Sequence, residues 1–274
     1  YSIKRQGLIR CSSKQDKCYF ENTIISYKSS GMIDMRQKIQ IGLMALSLLA
    51  TSALAITGPA QIGSPAQSSL LMLLNERGFC TANVVAADVL LTAAHCVHQI
   101  RGAVAYWPGA QPDDFIPAKE FVIHPGYKPN APKTRERSID LALVRLERAL
   151  PSSFTSMIID YEPRVEVGTP FIISGFGLRQ ENDGKTAGTL LSATLVTREP
   201  LSTLLIWAKD PEGKGRGGCT GDSGGAFLSR EGKLVALTVW SAGVGNKGCG
   251  DLTQALRLGP ERAFIEKILA SWSR

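Results

Sequence analysis

From about residue 56 onward the chain is a succession of short apolar segments separated by turn residues. Ala82–Thr92 (ANVVAADVLLT), Ala118–Ile123, Leu141–Leu146, Pro170–Ser174, Thr189–Val196 and Lys233–Trp240 all read as strands, with Gly, Pro, Asn and Asp filling the gaps. Only the last stretch departs. Pro260-Glu261-Arg262-Ala263-Phe264-Ile265-Glu266-Lys267-Ile268-Leu269 carries Pro near a helix start and apolar residues at helical spacing. Many short strands closed by one helix predict an all-β barrel or sandwich. Arg164-Val165-Glu166-Val167-Gly168 opens a fresh strand run, so a midpoint boundary is expected at residue 165.

Ahead of this body lies a stretch of a different kind. Met35-Arg36-Gln37-Lys38 forms a short cationic head, and Ile41 to Ala50 an apolar run too short to span a bilayer comfortably. Ala53-Leu54-Ala55 then places small residues where a signal peptidase reads them. Residues 35–55 therefore read as a signal peptide and predict a secreted or periplasmic protein, with an uncleaved anchor or cleavage after Ala53 as the alternatives. Residues 1–34 begin at Tyr1, not Met, and show no sustained period. They read as an upstream or disordered extension, so Cys11 and Cys18 would fall outside a mature chain of residues 56–274.

Charge changes the picture less than it first suggests. The net +7 divides unevenly: Lys+Arg against Asp+Glu is 8 to 3 over residues 1–55, which leaves 23 to 21 for the rest. The body is nearly neutral, and a nucleic-acid surface is not indicated. Four cysteines remain after residue 55: Cys80, Cys96, Cys219 and Cys249. An even number in an exported chain suggests two disulfides, with three pairings open. The acidic pair Asp113 and Asp114 is weak ground for calcium and reads as solvated turn residues; no metal or cofactor is expected.

Candidate chemistry is concentrated in three places. His95, one of three histidines beside His98 and His124, lies in LTAAHC; Asp140 leads SIDLALVRL; Ser223 lies among glycines in GCTGDSGGAF. Taken singly, each has an ordinary structural reading: a buried histidine, a strand-start cap, a glycine-rich turn. Together they supply what nucleophilic catalysis by serine requires. That chemistry needs a base, an acid group that holds the base's tautomer, and a backbone flexible enough to aim amides at an oxyanion.

These motifs, in the order His, Asp, Ser, resemble the chymotrypsin-like, trypsin-fold serine peptidases from Ile56 to about Trp272, and suggest a secreted bacterial-type member. HPGY at His124–Tyr127 and ISGFG at Ile173–Gly177 add to the likeness. The resemblance implies two antiparallel six-stranded β-barrels, spanning 56–165 and 166–274, with the active site between them and a C-terminal helix. It implies His95 as general base and acid, Asp140 as its orienting partner and Ser223 as nucleophile. The amides of Gly221 and Ser223 would form the oxyanion hole, and the cysteines would pair Cys80–Cys96 and Cys219–Cys249. Ile56-Thr57-Gly58 resembles the family's activating amino terminus, whose amine folds onto the acid before the nucleophile, here Asp222; Pro59 departs from the pattern. No Lys or Arg precedes Ile56, so signal-peptidase cleavage after Ala55 would itself release that amine.

Two departures bear on activity. Val239-Trp240-Ser241 stands where the family has Ser-Trp-Gly, so Val239 offers no hydroxyl to Asp140. Gly217, six residues before the serine, would form the floor of a substrate pocket walled by Trp240 and Ser241, and carries no carboxylate for Arg or Lys. Asp251 could intrude there, but a non-basic residue before the scissile bond is expected. The expected partners are protein or peptide substrates, with no nucleic acid, no membrane after signal cleavage, and a monomeric state. The second functional reading is a catalytically weak or inactive binding protein on the same fold.

Overall fold

A computed structural model describes residues 8–12, 17–21, 56–134, 136–246 and 248–273. The leader at 35–55 lies outside these residues. Within the segment set aside at 1–34, strands β1 (Leu8–Ser12) and β2 (Lys17–Glu21) pair as an antiparallel hairpin.

Alternation of side chains across successive strands builds the first barrel. It comprises β4 (Leu70–Asn75), β5 (Gly78–Ala86), β6 (Val89–Thr92), β7 (Ala103–Tyr106), β8 (Ile116–Ile123) and β9 (Ala142–Leu146), closed in the order β4-β5-β6-β9-β8-β7. In β4, Leu71 and Leu73 enter the barrel interior beside Ala82, Leu90 and Val144. Leu70 and Met72 point the other way, into a cluster shared with Leu228, Leu237 and Ile265 from the second half. A strand buried on both faces has to be apolar throughout, which accounts for LLMLL and for its lack of a polar–apolar rhythm. The expected single strand Ala82–Thr92 is instead β5 and β6 joined at a tight turn on Ala87 and Asp88. Asp88 favours the turn and pairs across to Arg145 at 3.3 Å.

The second barrel consists of β10 (Pro170–Gly175), β11 (Leu191–Thr197), β12 (Leu205–Lys209), β13 (Ala226–Leu228), β14 (Leu234–Ala242) and β15 (Leu252–Arg257). The order β10-β13-β14-β15-β12-β11 is closed by pairing of β10 with β11, and short β3 (Gln61–Ile62) adds on to β11. Phe171, Ile173, Leu195, Phe227 and Val235 fill its interior, together with Ile56. The fold is therefore the expected pair of antiparallel six-stranded barrels. A single turn of helix, α1 (Ala131–Thr134), decorates the first.

The closing helix α2 (Arg262–Trp272) follows β15 but docks back on the first barrel. Arg145 Nη2 donates to the Trp272 carbonyl at 3.0 Å, which satisfies an orphan group of the last turn. His124 Nδ1 accepts from the Gly126 amide at 3.0 Å, so its Nε2 carries the proton and faces Glu261 Oε2 at 3.1 Å. Burial lowers the His124 pKa, only partly offset by the Glu261 charge. His124 is thus a neutral structural residue.

Candidate active site

His95 sits in a 3-10 turn, Ala94–Cys96, just after β6. The turn is fixed from behind by the Cys80–Cys96 disulfide, and Asn75 Nδ2 donates to the Cys96 carbonyl at 2.9 Å. The β6–β9 register sets Thr92 opposite Ala142, which carries Asp140 to the same end of the barrel. Asp140 Oδ1 accepts from the His95 amide at 2.9 Å and Oδ2 meets Nδ1 at 2.7 Å. One carboxylate thus fixes both the backbone and the ring, leaving the other ring nitrogen without a hydrogen bond among the described residues. Tyr127 lies nearby; burial and the Asp140 charge push its phenol up to about 12, so it stays neutral. Cys80, Cys96 and His95 also cluster, but both sulfurs belong to the disulfide and offer no thiolate to a metal.

Ser223 comes from the other barrel, on the loop between the Cys219–Cys249 bridge and β13. Gly221 has φ +94° and packs so tightly that a Cβ would run into the Phe79 ring; Gly224, at φ +78°, would meet Thr92 and the Thr81 carbonyl. Only glycine fits at these two points. Residues of the first barrel hold the loop: the Thr81 amide donates to the Ser223 carbonyl at 2.9 Å and Asn83 Nδ2 to the Gly224 carbonyl at 2.7 Å. Among the described residues, the amides of Gly221 and Ser223 donate to no protein acceptor.

Asp222 is 2% exposed. Its carboxylate accepts from the Gly177 amide at 2.8 Å and the Cys219 amide at 2.9 Å, with no cation against it among the described residues. Burial pushes its pKa up to about 7, against the lowering effect of those two amides. Ile56, joined to Ala55 by a peptide bond, is 1% exposed and packs in the second barrel's core. Thr57 bridges to Gly217 and its hydroxyl donates to the Gly215 carbonyl at 3.0 Å.

At the expected pocket, a Cβ on Gly217 would press on the Gly250 backbone and on Thr253. Thr253 Oγ1, fully buried, accepts from the Gly218 amide at 2.9 Å. Trp240 stays 39% exposed beside Ser241. Asp251 is paired with Lys209 at 3.0 Å across neighbouring strands. Val239 falls at a bulge in β14, and among the described residues Asp140 receives no hydrogen bond beyond those from His95. Sequence reasoning missed Thr81, Asn83, Lys209 and Thr253. The signal for the first two was two polar residues in an otherwise apolar strand.

Two antiparallel barrels, with a His–Asp pair on one and a glycine-walled serine loop on the other, define the build of a serine peptidase. The family model for trypsin matches residues 58–255, most of the chain. The chain belongs to the trypsin family. It is similar to mannan-binding lectin serine protease 1 of Mus musculus, 26% identical over 231 residues, 69% of this chain and 32% of that protein. Coagulation factor XI of Bos taurus is 26% identical over 198 residues, covering 63% of this chain and 31% of the relative. The chain thus spans about a third of the length of these relatives. Among solved structures, neuropsin, a serine protease expressed in the limbic system of mouse brain, matches with a TM-score of 0.63 at 22% identity. That match covers 77% of this chain and 98% of neuropsin, and bears on the fold alone. These relatives are animal proteases, which corrects the bacterial-type placing. The motifs around His95, Asp140 and Ser223 belong to the whole family and do not discriminate between its branches.

Proposed function

We propose that this chain is an exported serine endopeptidase that cleaves protein substrates through an acyl-enzyme. His95 Nε2 takes the Ser223 Oγ proton as the oxygen attacks the scissile carbonyl, then returns it to the leaving amine. The Gly221 and Ser223 amides receive the oxyanion, and water attacks the acyl-enzyme along the reverse path. The observation that carries this reading is the His95–Asp140 pair at 2.7 Å, with no hydrogen bond to the second ring nitrogen among the described residues. Signal-peptidase cleavage after Ala55 would remove residues 1–55 and release the Ile56 amine. That ammonium would supply the counter-charge Asp222 lacks, and the mature protein of residues 56–274 would act as a monomer outside the cytoplasm. Gly217 offers no carboxylate and Asp251 is neutralised by Lys209, which supports cleavage after non-basic residues.

Val239 favours a second reading, in which the fold binds peptides and catalysis is weak. Loss of one hydrogen bond to a charged group costs roughly 1.5–3 kcal/mol. A fluorophosphonate probe decides between the two. Covalent labelling that maps to Ser223 is expected; an exported, folded protein that does not label would overturn the enzyme reading.

A further inference from the structure

We propose that Thr81 is a positioning residue for the oxyanion hole, holding it from the opposite barrel through a hydroxyl with one fixed proton. The inference rests on Ser223 being the nucleophile. Thr81 is fully buried on β5, and among the described residues Oγ1 has two partners. The Phe176 amide reaches it at 3.1 Å, and it reaches the Gly221 carbonyl at 3.0 Å. An amide can only donate, so Phe176 occupies a lone pair and the hydroxyl's single proton must go to Gly221 O. The direction of this hydrogen bond is therefore determined.

That direction matters because of what surrounds it. The Gly221 carbonyl belongs to the Gly221–Asp222 peptide, so this hydrogen bond fixes that plane. One flexible glycine Cα at φ +94° joins it to the plane carrying the Gly221 amide, which the Leu178 amide holds by its Thr220 carbonyl at 2.8 Å. The same threonine's own amide donates to the Ser223 carbonyl at 2.9 Å. Thr81 thus holds the carbonyls of Gly221 and Ser223, the two residues whose amides donate to no protein acceptor among the described residues. Through Phe176 it also reaches the neighbouring Gly177 amide, which holds the Asp222 carboxylate. Asn83 secures the next carbonyl along, at Gly224. The tether is neutral and already complete with Ile56 still joined to Ala55. It is thereby distinct from any charge that a new amino terminus would bring.

An oxyanion hole acts on the transition state more than on the bound substrate, so misaiming it lowers kcat and leaves KM largely alone. The test uses the exported enzyme with Thr81→Val, which keeps shape and removes the donor, and Thr81→Ser, which keeps the donor. Each is assayed on a peptide substrate alongside fluorophosphonate labelling and a melting curve. Thr81→Val should lower kcat about 10- to 100-fold with KM within about twofold, and Thr81→Ser should recover most of it. If Thr81→Val does not accumulate, Thr81→Ala carries the same expectation. Full kcat in the Val or Ala variant would overturn the proposal, as would equal losses in Thr81→Ser and Thr81→Val. Wild-type protein that fails to label overturns the serine-peptidase reading itself and this inference with it. Normal labelling beside an unaffected Thr81→Val overturns only the inference.

Discussion

Two aspartates, twelve positions apart in the second barrel, sit in opposite electrostatic situations. Asp210 lies in the loop that covers Thr57. Burial alone would raise its pKa, but the Arg216 guanidinium at 2.7 Å and the amides of Glu212, Lys214 and Arg216 hold it down at about 2. Asp222 is more deeply buried, yet has two amides and no cation among the described residues, and burial pushes it up to about 7. A carboxylate closed off by its own loop is a finished structural part. One left short of charge beside Ser223 fits the proposed pairing with a new amino terminus, and such perturbed groups mark functional sites more often than chance.

The largest effect should come from the residue next to Asp222. Ser223→Ala should lower turnover by roughly six powers of ten, and His95→Ala by a similar amount, if the triad acts as a unit. Hydrolysis by purified Ser223→Ala protein at anything near the wild-type rate would end the assignment. Next, Asp222→Asn should remove most activity while the protein still folds, as should one residue left ahead of Ile56. Disrupting a buried pair costs about 3–5 kcal/mol, equivalent to roughly 10²- to 10³-fold or more in kcat/KM. Asp210→Asn should instead lower the melting temperature and leave kcat/KM of the folded protein within about threefold. Equal activity losses from the two substitutions would erase the distinction between them.

The third effect is on stability and has a definite sign. In the chain still joined through Ala55, Asp222 is raised to about 7, from 3.8. Below about pH 4 both states carry the proton. As pH rises from there to about 7 the unfolded chain ionises and the folded one does not, so stability falls, by on the order of 4 kcal/mol at most. A free Ile56 ammonium should abolish this slope. Denaturant titrations of Ser223→Ala protein with and without residues 1–55 would measure it, and parallel curves would refute the charge argument. The smallest effect belongs to His124, whose lowered pKa makes the unfolded state take up a proton first as pH falls through about 6.5. Stability should then drop towards pH 5, and His124→Gln should flatten that part of the profile. An unchanged profile in the variant would place the titrating group elsewhere.

The residues of the candidate site were easier to find than the strands that carry them. His95, Asp140 and Ser223 stand in local contexts that serve chemistry, so they show in one dimension. The strand Leu70–Asn75 escaped because both its faces are buried, which erases alternation, and β13 is only three residues long after two glycines. Ala82–Thr92 looked continuous because Ala87 and Asp88 turn the chain without Gly or Pro. Thr81 and Asn83 meet the glycine loop 140 residues away or more, a distance no local pattern spans. The ambiguity of Asp251 was of the same kind, since Lys209 reaches it only once β12 and β15 pair.

The docking of α2 has a consequence for how the chain comes to be folded. Arg145 and Trp272 are 127 residues apart, and His124 meets Glu261 across a similar interval. Closing loops of that length is entropically slow, and chains dominated by such contacts collapse late. The first barrel is made early on the ribosome, but the cap over its Leu143 and Ile139 face arrives only with Ile265 and Trp272. Until then that greasy surface stays open to solvent, chaperones and other nascent chains. Arg145 waits through 127 residues of synthesis for its partner, so the first barrel is made well before its cap.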